Sequence, residues 1–378
     1  MAVACKEIAE GQVKAGLDVT VITSYLDFPS GILNKPNDKP VFENGVRVIY
    51  CSVFFKPLVF SFQLIKHIKK ELRESDIVHV HGLYRFPQSY ACWYSRRIKK
   101  PYILSPHGSL DPVLFDKKER KLLRRLYQYL FEIKNVKKSK KIHFTANDEL
   151  ELANYLDIKE KSVVIPNGID TIDFKNLPNK GGFVDTFKIQ ESSFKILFLG
   201  RVVWKKGLDI LLTSLPSIIK KIPNVSLIIA GPDNENYKKD LTDIINSNGI
   251  NSYVKFIGML NREKVKQAYV NADIFILPSY SENYGITIVE SLVCGCPVII
   301  SKNVNIHKEI TYNNLGQVID CDPKDISDAV INYFNRSDDY KIKHRAYIRD
   351  YALQKYDWEN AIKKFSNLYE EILVDKKI

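Results

Sequence analysis

Short apolar runs rich in valine and isoleucine recur along the chain, with helical patterns filling the intervals between them. In the first half they are LDVTVIT (17–23), VRVIYC (46–51), DIVHVH (76–81), YILSP (102–106), KIHFTA (141–146) and SVVIP (162–166). In the second half the same rhythm returns in FKILFLG (194–200), VSLIIAG (225–231), YVKFIG (253–258), DIFILPS (273–279), PVIIS (297–301) and GQVID (316–320). Strands this short and this apolar suit parallel sheets covered by helices on both faces. The alternation therefore predicts an α/β protein of two Rossmann-like, doubly wound domains.

The stretch NLPNKGGFVDTF (176–187) breaks both patterns with proline and paired glycine. It predicts a linker over 176–190, between a first domain over 1–175 and a second over 191–356. A final helix over 357–378 sets Trp358, Ile362, Phe365, Tyr369 and Ile372 at helical spacing, so it has an apolar stripe to bury, and it is expected to return to the first domain. Ligands of open parallel sheets sit beyond the carboxyl ends of the strands, and a cleft between two such domains suits an extended substrate.

Composition adds limits. A chain of 378 residues is too long for one comfortable core, which agrees with two domains. No run reaches the roughly 18 to 20 uninterrupted apolar residues of a membrane span. The opening MAVACKEIAEGQVKAG carries charges where a signal peptide has its apolar region. A cytoplasmic protein is expected. Six cysteines scattered over this length make no disulfide framework, and the CGC at 294–296 has neither zinc-ligand nor redox spacing; packed free thiols are expected.

The net charge is +12, and residues 1–166 hold 28 Lys and Arg against 18 Asp and Glu. The densest part is 117–141, with eleven basic and two acidic side chains. It suits either a solvated, lysine-rich helix face or a surface that meets anionic lipid headgroups. No nucleic-acid recognition motif accompanies the charge.

The candidate chemistry follows predicted strands. In LGRVVWKKGLDIL (199–211), Gly200 lets the chain turn, Arg201 leaves the strand end, and Lys206 stands where a helix begins. An arginine fork, a lysine point charge and helix-terminal N–H groups together make a site for a diphosphate. In SENYGITIVE (281–290), Glu282 and Glu290 lie eight positions apart, about 12 Å on a continuous helix. That exceeds the roughly 5 to 9.5 Å between the paired carboxylates of glycoside hydrolases. Carboxylates so placed suit two hydroxyl-rich parts of one long ligand, with the N–H groups near Asn283 to Gly285 meeting phosphate. Helix capping or local lysine pairing is the structural alternative. In the first domain, SPHGSLDP puts His107 at a strand end beside a glycine, and IPNGID puts Asn167 and Gly168 after the last strand. Packing and turn roles compete with ligand contact at both places. DCD at 320–322 looks like the metal-binding aspartate pair of some sugar-nucleotide enzymes, but it precedes Pro323 and reads first as a turn.

Taken together, PHG, PNGID, GRVVWKKG, AGP (230–232) and ENYGITIVE resemble the GT-B glycosyltransferases of family 4, in the family's order and over almost the whole chain. SPHGSLDP looks like a subgroup that builds bacterial exopolysaccharide and lipopolysaccharide. The resemblance implies a retaining enzyme that moves a sugar from a nucleotide-diphosphate donor to a hydroxyl of a lipid-linked or oligosaccharide acceptor, in bacterial surface glycan biosynthesis. It implies no cofactor and no metal, the nucleotide sugar being a co-substrate. Arg201 and Lys206 would neutralise the departing diphosphate. Glu290 would bind ribose hydroxyls, Glu282 with Asn283, Tyr284, Gly285 and Ile286 the sugar and its phosphate, and His107 the same sugar from the opposite domain. Gly200, Gly231, Asn167 and Gly168 complete the implied donor site. The protein would work in the cytoplasm, peripheral to the inner face of the plasma membrane and touching anionic lipid through 117–141; nucleic acid is not an expected partner.

Family members begin with a strand and a glycine-rich loop ahead of the helix that AVACKEIAEGQVKAG matches. That strand and loop are not in this sequence. The expectation is that the true start lies upstream; the alternatives are a catalytically impaired nucleotide- or membrane-binding homologue, or a sugar-nucleotide epimerase of the same architecture.

Overall fold

The computed structural model describes residues 2–27, 31–32, 38–112 and 131–374. The basic stretch 117–141 thus lies largely outside the described residues. The chain divides into two compact units, one of Met1–Gly168 with Trp358–Ile378, the other of Ile169–Asp357.

Among the described residues unit 1 holds nine strands: β1 (Thr20–Ser24), β2 (Leu26–Asp27), β3 (Gly31–Ile32), β4 (Pro40–Glu43), β5 (Val46–Cys51), β6 (Val78–His81), β7 (Tyr102–Ser105), β8 (Lys141–Phe144) and β9 (Ser162–Val164). The expected single sheet is instead divided. One sheet has the order β1-β5-β4 and another, all parallel, the order β6-β7-β8-β9, with a small β2-β3 pair beside them. Among the described residues no ladder joins β1 to β6, so each stands at the edge of its own sheet. Strand β4 escapes the sequence pattern because it is short and half-exposed. Its signal was the turn: Asn44 and Gly45 adopt φ of 48° and 85°, the positive pair that a two-residue hairpin needs.

Unit 2 is one parallel sheet of β10 (Phe194–Leu199), β11 (Val225–Ala230), β12 (Val254–Gly258), β13 (Ile274–Leu277), β14 (Val298–Ser301) and β15 (Gly316–Ile319), in the order β12-β11-β10-β13-β14-β15. Burial on both faces accounts for the continuous apolar runs, with β13 and β14 buried at every position. The segment read as a linker over 176–190 belongs to this unit. Phe183 and Val184, on the short helix Gly182–Thr186, are 1% and 3% exposed, so an apolar pair anchors what proline and glycine seemed to loosen.

The last helix, Trp358–Val374, lies in unit 1, where Ile362, Phe365, Leu368, Tyr369 and Ile372 pack with Ile8, Ile103 and Ile165. Tyr369 also ends a buried polar chain. Gln12 Nε2 donates to Tyr369 Oη at 2.6 Å, and His79 Nδ1 lies 2.8 Å from that oxygen. His79 Nε2 is 2.6 Å from Ser105 Oγ, which is 2.7 Å from His143 Nδ1, and His143 Nε2 meets the Ile165 carbonyl at 2.8 Å. The final carbonyl can only accept, which orders every proton: His143 donates to it, Ser105 to His143, His79 to Ser105 and Tyr369 to His79. Tyr369→Phe takes away the partner of His79 Nδ1 and of Gln12 Nε2. Denaturant unfolding should show a loss of about 1–3 kcal/mol; a loss below a few tenths of a kcal/mol would remove the chain's structural role.

Candidate functional site

The strand order of unit 2 reverses between β10 and β13, and the crevice beyond the carboxyl ends of such a neighbouring pair is where doubly wound sheets bind ligands. The two motifs that carry the predicted chemistry leave those two strands. GRVVWKKG follows β10 and SENYG follows β13.

Their loops are tied to each other. Tyr280 N–H donates to the Lys205 carbonyl at 3.0 Å, the Trp204 and Tyr280 rings stack 4.8 Å apart at 19°, and Tyr280 Oη donates to Asp209 at 2.8 Å. This clamp brings Lys206 onto Glu282, and the two form an ion pair with side chains 15% and 20% exposed. Glu282 is held through its backbone as well, donating to Asn303 O at 3.0 Å and accepting from Asn305 N at 3.2 Å. Asn305 Nδ2 in turn donates to Asn283 Oδ1 at 3.1 Å. Arg201 is exposed and makes no ion pair among the described residues, so its fork is available to an anion.

The helix Ile286–Val293 begins at Gly285, whose φ of 68° sends the chain into the first turn, and no side chain caps it. Its leading N–H groups lack intrahelical partners and carry the positive end of the dipole. Tyr284 is buried beneath this turn, while Ile286 is 39% exposed. Glu282 thus precedes the helix and Glu290 rides within it, so the pair does not share one helical face. Burial pushes the Glu290 carboxyl up to about 7, and Tyr269 Oη, 3.4 Å away, and the charge of Arg262 offset this only in part.

Other predicted positions take structural duties. Gly231 has φ 140°, and a Cβ there would lie 1.8 Å from the Gly200 carbonyl oxygen, so the turns after β10 and β11 can approach only with glycine present. A Cβ on Gly168 would meet Trp358 Cα at 2.7 Å, which makes this glycine, next to Asn167, a packing contact for the last helix. Asp322 caps the helix Pro323–Phe334, accepting from Lys324 N at 2.8 Å, and Asp320 pairs with Lys302. The DCD stretch is therefore a helix start.

In unit 1, His107 follows β7 with φ 51°. The turn is pinned by a residue that the motif reading missed: buried Glu149 accepts from Gly108 N at 2.5 Å and from Thr145 N and Oγ1 at 2.8 and 2.7 Å. Its contacts span 41 residues of sequence, so no local pattern announces it. His107 Nε2 lies 2.9 Å from His81 Nδ1. Burial pushes both imidazoles down, to about 2 for His107 and about 3 for His81, and leaves them neutral at pH 7.

Residues 1–172 match the model of glycosyltransferase family 4, and residues 184–355 that of glycosyl transferases group 1. An uncharacterized glycosyltransferase of Methanocaldococcus jannaschii, MJ1607, is 27% identical over 98% of this chain and 94% of its own. Among solved structures, Anabaena HepE in complex with UDP-glucose has a TM-score of 0.69 at 17% identity, covering 87% of each chain. WaaG, a glycosyltransferase involved in lipopolysaccharide biosynthesis, has a TM-score of 0.67 at 17% identity over 97% of this chain and 95% of that one. Two family models that between them span nearly the whole chain, on the fold these structures share, make the protein a glycosyltransferase of the GT-B class, with a family 4 domain followed by a group 1 domain.

Proposed function

We propose that the protein moves a sugar, with retention of anomeric configuration and without a metal ion, from a nucleotide-diphosphate donor to a hydroxyl of a lipid-linked or polysaccharide acceptor in surface glycan synthesis. One observation carries the donor assignment: Lys206, Glu282 and unpaired Arg201 stand on the loops that leave β10 and β13, at the switch point of the unit 2 sheet. The UDP-glucose bound by HepE and the role of WaaG in lipopolysaccharide biosynthesis support the same reading.

The incoming diphosphate exchanges Glu282 for itself as the partner of Lys206. Lys206 and Arg201 then hold the negative charge that grows on the leaving phosphate, a kind of stabilisation that is often the largest single term in catalysis. Glu282, released from the lysine, turns to the sugar hydroxyls, while the amides of Asn283 to Ile286 face the phosphate at the helix start. Glu290 accepts from the ribose hydroxyls. Gly200 and Gly231 let the chain pass close to the donor. On unit 1, His107 is assigned a contact with the transferred sugar, and Asn167 and Gly168 a backbone edge of the donor site. The departing phosphate takes the acceptor's proton, so no side chain is required as a general base. Release of nucleotide from a panel of UDP- and GDP-sugars, with acceptor present, tests the reaction; consumption of no donor would refute it.

For the acceptor we propose the cytoplasmic face of an anionic membrane. No described helix is long and apolar enough to cross a membrane. Unit 1 nevertheless exposes Phe54, Phe55, Leu58, Phe62 and Trp93, apolar side chains suited to a membrane interface, and the sequence of 117–141 carries eleven cations. Co-sedimentation with vesicles should rise severalfold when acidic lipid is added and fall as salt screens it. Equal binding to neutral vesicles would remove the electrostatic role.

A further inference from the structure

We infer that Cys5, His81 and His107 form a site for one borderline-soft divalent cation, zinc first among them. The thiol comes from the helix Ala2–Lys14, one imidazole from the end of β6 and the other from the turn after β7. One ligand atom from each lies within 4.8 Å of the other two, and all three residues are partly exposed, so an ion can enter.

Four of the five histidines of this unit lie close together, His67 being paired with Asp38 elsewhere, and the four divide into two kinds. His79 and His143 spend both ring nitrogens on hydroxyls and a carbonyl. His81 and His107 instead aim one nitrogen each at the other, 2.9 Å apart, with rings 5.2 Å between centroids and 23° from parallel. Among the described residues neither ring has another hydrogen-bond partner. One nitrogen of each ring, bonded to the other through a single shared proton, and a sulfur thus come together, with no hydroxyl or carboxylate holding either ring nitrogen among the described residues.

Zinc bonds of about 2.0–2.1 Å to nitrogen and 2.3 Å to sulfur require the ligand atoms to stand about 3.3–3.6 Å apart. The two nitrogens open slightly to reach this spacing and the sulfur closes in. Cys5 enters as the thiolate, its proton passing to solvent, and the imidazole that carries the shared proton moves it to its other ring nitrogen, so that both facing nitrogens offer lone pairs. Two nitrogens and one sulfur favour zinc over magnesium or calcium, which prefer oxygen. Three protein ligands leave a fourth position for water or a substrate group.

The consequence for the enzyme rests on the function proposed above: an ion that holds His107 withdraws it from the sugar, so zinc occupancy slows transfer. The site itself is tested without any transfer reaction. Full-length protein is titrated with zinc against a chromophoric chelator, and with cobalt(II) while the near-ultraviolet thiolate-to-metal band is followed. One equivalent and a clear band are expected. Cys5→Ser should abolish the band and weaken zinc at least tenfold, and His81→Gln should weaken zinc similarly. Cys321→Ser, which alters the other part-exposed cysteine, should change neither. Melting in excess chelator verifies that the variants are folded. Absence of the band in the wild type, its persistence in Cys5→Ser, or its loss in Cys321→Ser would overturn the site. A donor-consuming enzyme whose rate is unchanged at saturating zinc would overturn the inhibitory role alone, whereas failure to consume any donor counts against the proposed transfer reaction and leaves the metal result intact.

Discussion

Lys206→Ala should weaken nucleoside diphosphate binding about 10- to 100-fold, the equivalent of the roughly 1.5–3 kcal/mol that a hydrogen bond to a charged group contributes. Transfer should fall further, about 10²- to 10³-fold, because the charge on the leaving phosphate is greatest in the transition state. The structure shows why the loss is concentrated on this residue. Lys206 is held by its pair with Glu282 and by the clamp of Trp204 and Tyr280, so it meets the diphosphate already positioned. Arg201 is exposed and loses more side-chain freedom on binding, so Arg201→Ala should cost less. Titration calorimetry with a nucleoside diphosphate and initial rates with the donor read the two effects separately. Unchanged affinity in Lys206→Ala would place the diphosphate elsewhere in the molecule.

Replacement of Glu290 should give opposite results for stability and for binding. Its carboxyl titrates near 7 in the folded chain, well above the ordinary glutamate value of 4.5, because burial disfavours the charge. The folded state therefore holds this proton more tightly than the unfolded state does. The group's contribution is fully favourable below pH 4.5 and is lost as pH rises through about 7. Glu290→Gln carries no charge at any pH. It should melt close to the wild type at pH 4.5 and above it at pH 8, by up to about 3 kcal/mol. Donor affinity should behave in reverse: ribose hydroxyls donate best to the ionised carboxylate, so wild-type affinity rises with pH through about 7. In Glu290→Gln that dependence disappears and affinity at pH 8 falls about tenfold or more. A variant with wild-type affinity and the same pH profile would show that Glu290 does not touch the nucleotide.

The pair of glutamates also shows where sequence reasoning was sufficient. The apolar pattern from Ile286 placed Glu290 on a helix and Glu282 before it, whereas the figure of about 12 Å for two glutamates with seven residues between them assumed one continuous helix, which the pair does not share. The sequence did not show that Glu282 is paired with a lysine 76 residues away, nor that Glu290 is buried enough to hold its proton to neutral pH. Both depend on which strands are neighbours, and a one-dimensional pattern does not state this.

By itself the sequence determined the strands that are apolar at nearly every position, because a parallel strand covered on both faces leaves an unbroken run. It therefore determined which residues stand just beyond the carboxyl ends of those strands, and Arg201, Lys206, Glu282, His107 and Asn167 were found that way. The Asn44–Gly45 turn was equally legible and would have revealed β4. Only the tertiary structure decided the division of the unit 1 strands into two sheets, the anchoring of Phe183 and Val184 inside unit 2, the Glu149 contacts beneath the Gly108 turn, and the convergence of Cys5 with His81 and His107. Each of these joins segments tens of residues apart, brought together by packing and hydrogen bonding across the fold, whereas sequence periodicity records only the burial of each segment along its own axis.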